Sequence, residues 1–161
     1  MFSIQTVTMT YPSIQERIVT PVVVQSHKEI IKVNALWDTG SNRTYISNAL
    51  ANTLKLQSKG NKTTITSGGD IESNLYNITL YLNDFICFSV CAPSYPNTVL
   101  NSDVVIGMDI IGQGDFAITN KNGNTIFTFR TPSQAELKFS ENNISDASMS
   151  ELVEFLTHNS T

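Results

Sequence analysis

From Ile4 to Arg130 the apolar residues come in short runs of Val, Ile, Thr, Phe and Tyr, and Gly, Asn, Pro or Asp breaks each run before a helical period can build up. A chain with this texture is confined to strands and turns. The runs predict strands near Ile4–Met9, Ile18–Gln25, Ile30–Leu36, Thr63–Thr66, Asn74–Leu82, Phe85–Ala92, Val104–Ile106, Phe116–Thr119 and Thr125–Arg130. Asn122-Gly123 sits between the last two and reads as a tight hairpin turn, because both residues tolerate positive φ. Asn83-Asp84 is read in the same way. Helix is sparse: Ser47-Asn48 caps a short helix through Leu54, with Leu50, Ala51 and Leu54 on one face, and Met108–Ile111 makes one turn. The fold class is therefore all-β. After Thr131-Pro132-Ser133 the chain turns polar, and Ser145–Leu156 then spaces Met149, Leu152, Val153 and Leu156 three and four apart. Residues 1–132 read as the folded domain, and 133–161 as a polar linker with a short amphipathic helix.

Composition excludes several classes. Of 161 residues 40% are hydrophobic, enough for a core, and the net charge is -4. A duplex nucleic-acid binder normally carries a basic excess, so no nucleic-acid partner is expected. No apolar run approaches the roughly 18 residues a membrane span needs. Met1–Thr10 has neither the basic nor the apolar region of a secretory signal, so a cytoplasmic location is expected. Cys87 and Cys91 lie in an apolar stretch on one face of a strand, about 13 Å apart, too far for a disulfide. They read as two buried free thiols. His27 and His158 are isolated, and no metal site or cofactor is expected.

The stretch Ala35-Leu36-Trp37-Asp38-Thr39-Gly40-Ser41 carries the chemistry. An apolar strand delivers a carboxylate to a sharp turn, where it must be hydrogen-bonded to be tolerated. Gly40 can bring its N–H close, and Thr39 and Ser41 supply hydroxyls. Asp-Thr-Gly alone arises by chance in roughly 3 of 100 chains this long, so it needs support from elsewhere. That support is a second apolar strand entering a glycine and a short helix, Asp103-Val104-Val105-Ile106-Gly107-Met108-Asp109-Ile110-Ile111. Between the two lies a candidate hairpin with glycines at its tip, Thr63-Thr64-Ile65-Thr66-Ser67-Gly68-Gly69-Asp70-Ile71.

In order and spacing these three elements resemble the retropepsin-like aspartic proteases, over about residues 20–130, and look closest to bacterial and cellular single-domain members. The resemblance implies a closed acid-protease β-barrel with one or two short helices, working as a homodimer on a peptide or protein substrate. Two Asp carboxylates sharing a proton would activate a water. This chain has one Asp-Thr-Gly, so the second Asp38 would come from a second subunit. By resemblance Asp38, Thr39 and Gly40 form the catalytic turn, with Thr39 bonding across the dimer axis and the Gly40 N–H orienting the carboxylate. Ser41, Asn42, Ser67, Gly68, Gly69, Asp70 and Ile106 would contact the substrate, with 67–70 as the flap tip. Ser41 would donate to an outer carboxylate oxygen, so Ser41→Ala should move the acid limb of activity to higher pH. Thr125–Arg130, with Ile4–Met9, would form the dimer-interface sheet. Viral members often pair an Asp after the motif with an Arg after the late glycine; here those places hold Asn42 and Met108. Trp37 points away from Asp38 into the core, and Asp109 reads as a helix-start carboxylate satisfied by backbone N–H groups. The competing reading is a catalytically weak or inactive peptide-binding and dimerisation module of the same fold.

Overall fold

A computed structural model describes residues 4–26, 29–66, 69–96, 99, 101–137, 149–151 and 154. Ten strands and two short helices follow in order: β1 Gln5–Tyr11, β2 Val19–Gln25, β3 Ile30–Trp37, β4 Tyr45–Ser47, α1 Asn48–Thr53, β5 Asn61–Thr66, β6 Gly69–Tyr81, β7 Cys87–Tyr95, β8 Val104–Ile106, α2 Met108–Ile111, β9 Asp115–Lys121 and β10 Asn124–Thr131. The all-β expectation and both short helices hold.

Seven strands form one sheet in the order β2-β3-β8-β4-β7-β6-β5, and β2 also pairs with β6, so the succession of neighbours returns to its start. Two of its pairings are parallel, β3 with β8 and β4 with β7. A strand in a parallel pair is covered on both faces and reads as continuously apolar. Val104, Val105 and Ile106 are all buried, as this requires. The register Trp37↔Ile106 sets the ends of β3 and β8 side by side.

β1, β10 and β9 form a second, antiparallel sheet in that order. Its inner face carries Phe127 and Phe129, both fully buried. They close on Trp37 with ring centroids at 4.8 and 5.2 Å, and Phe116 completes the cluster at 5.9 Å. The Trp37 indole N–H donates to Thr20 Oγ1 at 2.9 Å, which satisfies a donor buried among apolar groups. Asn122 and Gly123 take φ of 55° and 78° between β9 and β10, as the hairpin signal implies.

Three expectations are corrected. Cys87 and Cys91 are exposed, because Phe88 and Val90 take the inward positions of β7. The β6–β7 connection is longer than Asn83-Asp84: Asn83 Oδ1 accepts the Phe85 and Ile86 N–H groups, and Leu82 N–H reaches Ile86 O. Both edges of β10 are occupied within the chain, by β1 and β9, so Thr125–Arg130 has no free edge for a partner's strand. Just past β10, Asp115 accepts from the Arg130 guanidinium, the Ser133 hydroxyl and the Gln134 N–H. The helix expected over Ser145–Leu156 lies largely outside the described residues; within it, 149–151 and 154 are helical. No helix among the described residues is long and apolar enough to cross a membrane.

Candidate active site

Asp38 follows directly on β3, between the buried Ala35, Leu36 and Trp37 and the exposed Thr39 and Gly40. Two bonds fix the turn to β8 and α2. Asp38 N–H donates to Ile106 O at 2.9 Å, and Met108 N–H donates to Ser41 O at 2.8 Å. Within the turn Ser41 N–H reaches Asp38 O at 3.2 Å. The Gly40 N–H donates to Asp38 Oδ1 at 2.9 Å. A Cβ at Gly40 would lie 3.2 Å from that same oxygen, so the glycine keeps the carboxylate's place open. Asp38 is half-buried, while Thr39 and Gly40 are exposed at the tip. The carboxylate is held from one side and presented on the other.

The Ser41 hydroxyl is turned away from Asp38. It donates to Arg43 O at 2.7 Å and stiffens the loop instead of contacting the carboxylate. Asn42 is exposed on that loop. Ile106 is 0% exposed and belongs to the hydrophobic core, and its carbonyl takes the Asp38 N–H. Gly69 and Asp70 stand in a different part of the chain, the β5–β6 hairpin, with pairings Thr66↔Gly69 and Ile65↔Asp70. Gly69 has φ of +111°, which suits glycine at that bend. Ser67 and Gly68 lie outside the described residues.

Two residues matter more than their sequence context indicates. Thr44 is 1% exposed. Its N–H donates to Asp109 Oδ2 at 3.0 Å, and its hydroxyl donates to Asp109 Oδ1 at 2.7 Å. The same hydroxyl accepts the Gly107 N–H at 3.2 Å. Asp109 is a satisfied carboxylate as expected, but the loop after Asp38 satisfies it, not its own helix. The only available signal was a hydroxyl residue at the join between a polar loop and a buried strand. Gly107 has its own constraint: a Cβ there would fall 2.2 Å from Arg43 O.

Among the described residues no cluster of His, Cys, Asp and Glu has the makings of a metal site. Two surface cavities of about 600 and 710 Å³ lie over β2, β3, β6 and β7, and Asp38 lines neither.

A family model described as aspartyl protease matches residues 21–110. Among solved structures, a retropepsin-like aspartic protease from Rickettsia conorii superposes with a TM-score of 0.50 at 12% identity, covering 81% of this chain and 98% of that one. The EIAV protease in complex with an inhibitor gives 0.48 at 20% identity, with 61% and 88% covered. The retroviral protease-like domain of Ddi1 from Leishmania major gives 0.41 at 13% identity, with 66% and 91% covered. No curated protein matches the sequence.

Proposed function

Because the chain belongs to the aspartyl protease family, we propose that it is a homodimeric aspartic endopeptidase in which each subunit contributes one Asp38. The observation that carries this reading is the Asp38 turn itself, a carboxylate held by the Gly40 N–H and latched to Ile106 and Met108. The exposure of Thr39 and Gly40 at its tip supports a site completed by a second copy. The ring of pairings through β2 and β6 supports the closed barrel that such enzymes have.

In the general arrangement of aspartic proteases one carboxylate accepts a proton from water while the other, protonated, donates to the scissile carbonyl oxygen. The water oxygen bonds to the carbonyl carbon. The tetrahedral intermediate then collapses, the C–N bond breaks, and a proton passes to the departing amine. Here the Gly40 N–H would hold Asp38 Oδ1 in plane as charge moves between the two carboxylates. Thr39, at the exposed tip, would face its partner across the axis. The β5–β6 hairpin, with Ser67 to Asp70 at its tip, would close over the substrate and exclude water. Asn42, beside the turn, would contact the peptide.

The test is cleavage of a diverse peptide mixture from about pH 3.5 to about pH 7, the range in which carboxylate dyads work, by the parent and by Asp38→Asn. New termini are read by mass spectrometry. Cleavage by the parent alone is expected, and full cleavage by the variant would overturn the mechanism. The engagement of the Ser41 hydroxyl with Arg43 O, away from the carboxylate, favours one second reading, a peptide-binding and dimerisation module of weak activity. Silence from a sample shown to be dimeric would select it.

A further inference from the structure

We propose that Asp109 is a positioning residue for the Asp38 turn, acting through Thr44. For its catalytic consequence this rests on the protease reading above.

The loop from Thr39 to Thr44 joins β3 to β4 and belongs to no strand, so its course depends on individual bonds. Its far end is fastened at Thr44, whose N–H and O–H enter the two oxygens of one carboxylate, Asp109. An ionised carboxylate only accepts. It therefore commits the one Thr44 hydroxyl proton to itself and leaves that oxygen's lone pair to take the Gly107 N–H. Gly107 is buried, and its N–H would otherwise be in want of an acceptor. The next residue, Met108, supplies the N–H that holds Ser41 O, and Ser41 adjoins Gly40, which holds Asp38. A continuous chain of bonds thus runs from Asp109 through Thr44 and Gly107–Met108 to the catalytic carboxylate. Asn42 and Met108 carry no charge, so neither can fasten this loop by an ion pair.

The polarity of the clamp makes the inference specific. Asn at 109 puts an NH2 group where one carboxylate oxygen stood, so in Asp109→Asn the Thr44 hydroxyl must turn its proton away from residue 109 and the clamp is rearranged. Thr44→Val removes the relay while keeping its shape, and Thr44→Ser keeps the relay.

The experiment measures the Gly40 amide proton resonance of the full chain by NMR, together with kcat and KM. The variants are Asp109→Ala, Asp109→Asn, Thr44→Val and Thr44→Ser. Leu80→Ala serves as a control that weakens the shared core from β6, without touching any bond of the loop. The first three are expected to shift the Gly40 amide and lower kcat by about 10- to 100-fold with KM within about threefold, the signature of misplacement. Thr44→Ser should restore both readouts, and Leu80→Ala should move neither. An unmoved Gly40 amide in folded Asp109→Ala or Thr44→Val would overturn the proposal, as would an equal shift in Leu80→Ala. So would a shifted amide with kcat intact in an enzyme shown to cleave. If the protein proves not to be a protease, the amide still decides whether Asp109 positions the turn.

Discussion

Replacing Gly107 by alanine tests how tightly the Asp38 loop is pressed against the start of α2. Gly107 has φ of −99° and ψ of −174°, extended backbone that alanine adopts freely, so any cost is steric. The new Cβ would stand 2.2 Å from Arg43 O, 2.4 Å from Arg43 C and 2.8 Å from Arg43 N, all backbone atoms that no rotamer change can move. Restoring an ordinary 3.4 Å contact demands a displacement of about 1.2 Å. Over-packing of this kind costs about 1–3 kcal/mol. The shift also pulls at two bonds, Gly107 N–H to Thr44 Oγ1 and Met108 N–H to Ser41 O, each worth about 1 kcal/mol. The expected loss is thus about 3–5 kcal/mol, a large part of a typical total of about 5–15 kcal/mol. At about 2–4 °C per kcal/mol for a domain of this size, Tm should fall by about 6–20 °C. Urea unfolding followed through the single tryptophan, Trp37, gives the number directly. A loss below about 1 kcal/mol would refute the reasoning, since it would mean that the loop yields freely. Gly40→Ala is the internal contrast. Its Cβ meets only the rotatable Asp38 carboxylate, so stability should change by less than about 1 kcal/mol while cleavage falls sharply.

Other substitutions follow from single contacts. Thr20→Val strands the buried Trp37 indole N–H and should cost about 1–3 kcal/mol by the same fluorescence assay. Ser41→Ala should leave the acid limb of cleavage in place, because the hydroxyl bonds Arg43 O; a limb moved to higher pH would restore the expectation of contact with Asp38. The Ser133 hydroxyl, then the Gln134 N–H and Arg130, draw the Asp115 carboxyl down to about 2. Its folded value lies below the unfolded one, so its contribution to stability is complete above about pH 4 and is lost as pH falls through about 2. In Asp115→Asn the pH-dependence of stability in that window should flatten, and the Gln134 amide should exchange faster.

What the sequence made legible was whatever is local. Alternation and turn residues located nine of the ten strands, and Ser47 was visible as a cap; its hydroxyl accepts the Leu50 N–H at 3.0 Å. The Asp38 turn was legible because Gly40 bonds two residues back. β4 escaped because Tyr45–Ser47 has only three residues, no alternation, and a parallel partner far along the chain. Cys87 and Cys91 were misplaced because alternation gives two faces without saying which is inward. Ile106 stands next to the late glycine, in a strand buried on both faces, and its side chain lies in the core. Thr44 and Asp109 stand 65 residues apart, and no local pattern announces their bond. The same holds for the closure of β1 on β10, which decides which strand edges remain open.

That closure has a consequence for synthesis. Among the described strands β1 leaves the ribosome before the others, and its one partner there, β10, leaves after them. The two are separated by the whole interval from Tyr11 to Thr125, which at about 5–20 residues per second takes roughly 6–25 s to translate. During that time Val7, Met9 and Tyr11, which later pack against the core, travel on a nascent strand with nothing to lie against. The interleaved Thr6, Thr8 and Thr10 keep its other face polar. Nascent chains arrested before and after residue 131 should therefore differ in chaperone demand and protease sensitivity, with the change concentrated at the N-terminal strand.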